Sequence, residues 1–177
     1  RFAFDLTAYY ALVMSFLVLA VPALTGFVVG FLLLDQRDDR TLTALRVTPL
    51  TLNGYLIYRT TVPTLVSAVL IVLFVPFAGV VPLNVGEVLL VALVAAPQAP
   101  LFALFLAAFA SNKVQGFALG KAMGVVMWPP IFAYFAPAEW QWAFGLVPTY
   151  WPAKLFWMLD AGDGGVFGHR PGRELGL

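Results

Sequence analysis

Charged residues gather at a few points along this chain, and long apolar runs separate them. None falls between Asp5 and Asp35, between Arg59 and Glu87, or between Glu87 and Lys113; a shorter uncharged run lies between Lys121 and Glu139. A helix needs roughly 20 apolar residues to cross a bilayer core, at about 1.5 Å rise each. The first three runs are long enough. The fourth is too, if Lys121 lies near a membrane face and snorkels outward. The pattern predicts an all-α integral membrane protein with four spanning helices, at Tyr10–Leu34, Val62–Val81, Val88–Ala110 and Phe117–Ala136.

The loops between these runs carry an orientation. Arg37, Arg40, Arg46 and Arg59 follow the first run, and Lys113 and Lys121 flank the third loop. The second loop, Pro82 to Glu87, has no basic residue, and none follows the fourth run until Lys154. Basic residues collect on the cytoplasmic side. The first and third loops are therefore expected inside, and both ends of the four-helix unit outside.

Proline and glycine mark where the helices bend or approach one another. Pro97-Gln98-Ala99-Pro100 is the most disrupted point, read either as a bent packing helix or as a polar notch on a substrate path. Gly26 and Gly30 form one G-x-x-x-G pair, and Gly116, Gly120 and Gly124 a longer stripe. Small residues four apart share a helix face and admit a neighbouring backbone, in this chain or in another copy. After the fourth run, Trp140, Trp142, Tyr150, Trp151 and Trp157 cluster around Pro148. Aromatic belts favour the membrane interface, and each half is too short to cross. A helix pair that enters the outer leaflet and returns is expected. Residues 161–177 read as a polar, glycine-rich tail beyond a membrane domain at 1–160.

Composition narrows the function. Of the 177 residues, 62% are hydrophobic and 11% charged, against about 25% charged in soluble domains. The net charge of +1 gives no sign of nucleic-acid binding, and the absence of cysteine excludes disulfides and thiolate chemistry. No signal peptide is read at the start: the first apolar run is too long and no cleavage site follows. No G-x-x-x-x-G-K-[ST] loop is present, so any ATP chemistry must come from a partner.

The loop Asp35–Arg59 is the most informative. Asp39 is a candidate N-cap. Leu42 and Leu45 then share a face beside Arg46, and Pro49 ends the helix. About nine residues make a rod roughly 13 Å long. Thr51 is placed to cap a second helix running through Tyr55 and Arg59 into the second span. The short helix reads either as a solvated connector or as a peg with a small apolar tip offered to a cytoplasmic partner.

The run Leu32-Leu33-Leu34-Asp35-x-Arg37-x-x-Arg40-Thr41-Leu42-x-x-Leu45-x-Val47-Thr48-Pro49-Leu50 resembles the loop after the second span in permease subunits of ATP-binding cassette exporters of the second type, in their drug-export branch. Many relatives have Gly before the Thr, where this chain has Arg40. The Trp-rich pair resembles the re-entrant helices before that fold's last span. The resemblance implies that Asp35, Arg37, Asp39, Arg40, Thr41, Leu42, Leu45, Arg46 and Pro49 form the coupling loop seated on an ATPase subunit. ATP and Mg would be held by that subunit and not by this chain. It further implies a permease homodimer in the cytoplasmic membrane, and the apolar, aromatic spans suit a hydrophobic or amphipathic cargo, drug-like or lipid-like.

The family has six spans, and the four here match its second to fifth. The first would be lost with the natural N-terminus, since the chain begins at Arg1, and the sixth replaced by the tail. In the family the fourth span seen here lies near the dimer axis and cargo path, together with the first. Phe16, Met127, Phe132 and Tyr134 are therefore candidate cargo contacts. Two other classes have sequence signatures of their own. A secondary transporter usually carries an ionisable residue in mid-membrane. A prenyltransferase-like enzyme could hold Mg on Asp35, Asp38 and Asp39, but Arg37 and Arg40 offset that cluster and no second Asp-rich loop faces it.

Overall fold

The computed structural model describes residues 9–38, 52–79, 81 and 83–160. Every regular element among them is helical. The helices are α1 (Tyr10–Asp38), α2 (Leu52–Ala78), α3 (Val85–Ala95), α4 (Gln98–Phe109), α5 (Lys113–Met123), α6 (Trp128–Phe135), α7 (Ala138–Phe144) and α8 (Tyr150–Asp160), with a 3₁₀ turn at Gly124–Met127 between α5 and α6. Four stretches are long and apolar enough to cross a membrane: Tyr10–Gln36, Asn53–Ala78, Val85–Phe109 and Lys113–Phe135. The chain is a multi-pass protein of the cell membrane.

Two spans are interrupted, the third at the Pro97–Pro100 segment that the sequence marks as its most disrupted point. The third is α3 followed by α4, interrupted at Ala96–Pro97, because Pro97 has no N–H to donate and its ring crowds the preceding turn. The fourth is α5, the 3₁₀ turn and α6. Gly124 loosens the helix, and Pro129 and Pro130 remove two successive donors. The fourth span also begins at Lys113, not Phe117, since Asn112 caps it: Asn112 Oδ1 accepts from Gln115 N–H at 2.9 Å. Gln115 Oε1 accepts from Ser111 N–H at 2.9 Å in return. The third span starts the same way. Asn84 Oδ1 accepts from Glu87 N–H at 3.0 Å, and Glu87 Oε2 from Asn84 N–H at 2.7 Å, a reciprocal capping box. The second span runs back through Arg59 and Tyr55 as one helix, and Arg59 lies over the Tyr55 ring. It ends at Gly79, whose φ of +60° suits a residue without Cβ just past a helix C-terminus.

The third span is the central one: 50% of its apolar window is buried, against 22% in the second and fourth. Side chains such as Leu24, Leu73, Leu93 and Val125 face outward. In water that surface would drive association; in lipid it costs nothing.

The main core sits where α8 folds back onto α1, α3 and α6, and residues of α2 such as Ile71 and Val75 join it. Its centre is Trp157, which is fully buried. Trp157 Nε1 donates to Ser15 Oγ at 2.9 Å, and Ser15 Oγ donates to Leu12 O at 2.8 Å. Trp140, Trp142 and Trp151 keep exposed faces, as an interfacial belt would. Trp157, grouped with them on composition, is instead a packing residue. A smaller cluster at the other end joins Leu34, Leu106 and Ala110.

Candidate functional site

Glycine sets how closely the spans approach. A Cβ on Gly26 would come within 2.4 Å of the Ala99 carbonyl oxygen on α4, and one on Gly30 within 2.8 Å of the Leu106 side chain. On α5, a Cβ at Gly116 would meet Leu34 at 2.6 Å, and one at Gly120 would fall inside the Phe27 ring's contact distance. These four glycines therefore seat helices of this same chain against one another. Gly124, the last of the stripe, is different. A Cβ there would meet nothing within 4 Å.

The open space beside Gly124 is a groove of about 340 Å³ between α1, α4 and the fourth span. Phe27, Phe102, Phe117, Met123 and Met127 give it flat, polarisable walls, and Lys121 stands at its edge. Lys121 Nζ lies 4.9 Å from the centroid of the Phe117 ring, one turn nearer Lys113. Of the four candidate cargo residues, Met127 lines this groove. Phe16 and Phe132 lie on the outer surface, with Phe132 stacked on Trp128. Tyr134 is buried in the core, its ring edge-on to Trp157 at 5.2 Å.

Across Phe102 and Met123 lies a second cavity, of about 150 Å³, roofed by Pro148 and Thr149. Two hydrogen bonds hold that roof. Gln98 Nε2 donates to Pro148 O at 2.9 Å, and Thr149 Oγ1 donates to Val126 O at 2.7 Å. The second has a clear cause. Three and four residues after Val126 stand Pro129 and Pro130, so its carbonyl has no helical donor, and Thr149 supplies one. Gln98 is buried, and its Oε1 has no partner in the structure. The Pro97–Pro100 segment is thus both a bend and a polar notch.

Nearby, Lys154 is buried and donates to Gln141 Oε1 at 2.7 Å, while Gln141 Nε2 donates to Ala136 O at 3.2 Å. These groups lock α7 and α8 to the end of α6. The sequence reading passed over Gln141 and Thr149 and used Lys154 only as a charge marker. The signal available was a lysine and a glutamine inside an otherwise aromatic stretch, where burial requires a partner.

At the opposite end, Asp35 in the last turns of α1 forms an ion pair with Lys113 at the start of α5. Both groups are about half exposed, so the pair contributes little to stability. It does place the loops after α1 and after α4 at one end of the bundle. Arg37 also lies in the last turns of α1. Asp39, Arg40, Thr41, Leu42, Leu45, Arg46 and Pro49, with the expected coupling helix, lie outside the described residues, as does the tail 161–177. Among the described residues, no group of three or more acidic, His or Cys side chains is placed to hold a metal ion.

Residues 1–169 match the family described as Fluoroquinolones export permease protein Rv2686c-like. Two curated relatives from Mycobacterium tuberculosis are each 36% identical over 170 residues. They are fluoroquinolones export permease protein MT2760 of strain CDC 1551 / Oshkosh and fluoroquinolones export permease protein Rv2686c of strain ATCC 25618 / H37Rv. The match takes in 94% of this chain and 67% of each relative. No solved structure matches. With four apolar spans, glycine-seated packing and a family match over nearly its whole length, this chain belongs to the Rv2686c-like family of fluoroquinolones export permeases.

Proposed function

We propose that the chain is the membrane-spanning part of an ATP-driven drug exporter, and that its cargo is a fluoroquinolone or a similar flat aromatic drug. The observation that carries this reading is the 36% identity to two fluoroquinolones export permeases over 94% of the chain. The four-span bundle with an aromatic groove suits such cargo. The permease works as a homodimer with two separate ATPase subunits, which hold ATP and Mg. The segment 39–51 docks on the ATPase through Leu42 and Leu45, and closure of the ATPase pair tilts the spans.

The test is quinolone uptake into inverted vesicles containing the full-length permease and its ATPase. Uptake should require ATP and should survive collapse of the proton gradient. Leu42→Asp or Leu45→Asp should abolish it while the permease still inserts, because a charge is placed in an apolar contact; exposed substitutions alone cost within about 0.5 kcal/mol. Uptake that follows the proton gradient without ATP would make the protein a secondary transporter. Normal uptake by both Asp variants would remove the docking role.

A further inference from the structure

Lys121 is the feature of the fourth span that packing does not explain. It lies eight residues past Lys113, about 12 Å of helix rise into the span. A charge at that depth is costly unless something receives it. Lys113 has Asp35. Lys121 has the face of Phe117 and, among the described residues, no carboxylate. Its span also carries the one glycine of the stripe that no neighbour fills: Gly124 leaves the groove open where Gly116 and Gly120 are closed by α1. Groove and cation therefore coincide. The space, about 340 Å³, is at the lower end of the roughly 300–1,000 Å³ usual for small-molecule sites. Its walls are rings and thioethers, with Ala20, Ala23 and Leu24 on the α1 side and a single ammonium at the edge.

We propose that this groove binds a planar aromatic carboxylate, with the ring system against Phe27, Phe102 and Met123 and the carboxylate on the Lys121 ammonium. This rests on the export reading and deepens it by naming the anionic aromatic acid as the form recognised. Lys121 thereby serves as a specificity residue. A cation at the edge of an apolar groove favours a cargo with one anionic end, and a neutral aromatic of the same shape gains only the wall contacts.

The test uses the full-length permease with its ATPase in phosphatidylcholine nanodiscs, and a fluorescent fluoroquinolone beside its ethyl ester. The wild type should bind the acid at least about tenfold more tightly than the ester, the ~1.4 kcal/mol of one charged contact. Lys121→Gln should bring the acid to the ester's affinity, Lys121→Arg should keep the preference, and Gly124→Leu should weaken both ligands by filling the groove. If Lys121→Gln does not assemble, Lys121→Met, which keeps the apolar stem, makes the same comparison. An acid preference unchanged in these variants overturns the proposal. So does loss of the preference on adding phosphatidylglycerol, which would make Lys121 a lipid-headgroup contact, or a groove closed by the second copy so that neither ligand binds. ATP-driven export is measured in vesicles made from the same preparations. Export that is indifferent to Lys121 sinks this proposal alone, whereas no ATP-driven movement of either quinolone by the wild type sinks the export reading.

Discussion

Thr149 shows how a single hydroxyl can complete a helix from outside. Pro129 and Pro130 leave the Val126 carbonyl without a donor inside its own span, and Thr149, from the turn before α8, fills it at 2.7 Å. In a bilayer no water stands ready to replace that bond. Thr149→Val keeps the shape and removes the donor, so it should destabilise the purified permease by about 1–2 kcal/mol, while Thr149→Ser should keep most of the stability. Thermal unfolding in detergent checks this; a Val variant as stable as the Ser variant would mean that the carbonyl finds another partner. Gln98 and Lys154 follow the same logic. Each is buried and each anchors a neighbouring segment through a polar contact, Gln98 to Pro148 and Lys154 to Gln141.

At the scale of helices, the glycines separate packing from space. Gly26 faces backbone on α4, and backbone cannot swing aside as the end of a flexible side chain can. Gly26→Ala should therefore force α1 and α4 apart and lower the melting temperature, despite the roughly 0.8–1 kcal/mol that alanine gains in helix propensity. Gly124→Ala meets nothing and should be neutral or slightly stabilising. Equal melting temperatures for the two variants would contradict the close approach of α1 to α4. The sequence made the existence of the four spans legible, because long uncharged runs admit few alternatives. It also made the helical extension through Tyr55 and Arg59 legible, since a helix was expected to run through both into the second span. The interruption at Gly124–Met127 was carried by Pro129-Pro130, but a double proline in a membrane helix can also be absorbed as a bend. The starts at Val85 and Lys113 were visible as Asn84-x-x-Glu87 and Asn112-x-x-Gln115, once charge was weighed less than capping. Which tryptophan belongs to the core was not legible. Trp157 and Trp151 have the same composition around them, and only the return of α8 onto α1 distinguishes them.

Over the whole molecule, the remaining question is which way the bundle faces. The Asp35–Lys113 ion pair ties the end of α1 to the start of α5, so the loops after the first and third spans share one end. Arg37 and Lys113 lie there, Arg40 and Arg46 follow α1 in the sequence and Arg59 lies in the first turns of α2, whereas the loop leading into Val85 carries no basic residue. Moving such a cluster across the membrane during insertion is unfavourable, so the basic end is expected on the cytoplasmic side. The chain has no cysteine, which makes single-cysteine reporters direct. Ser111 and Val85 are both exposed and stand at opposite ends of the third span. In intact cells a membrane-impermeant maleimide should label Val85→Cys and leave Ser111→Cys unlabelled until the membrane is permeabilised. The reverse pattern would invert the protein. It would carry segment 39–51 to the outer surface, where no ATPase could reach it, and the coupling role proposed for Leu42 and Leu45 would fall with the orientation.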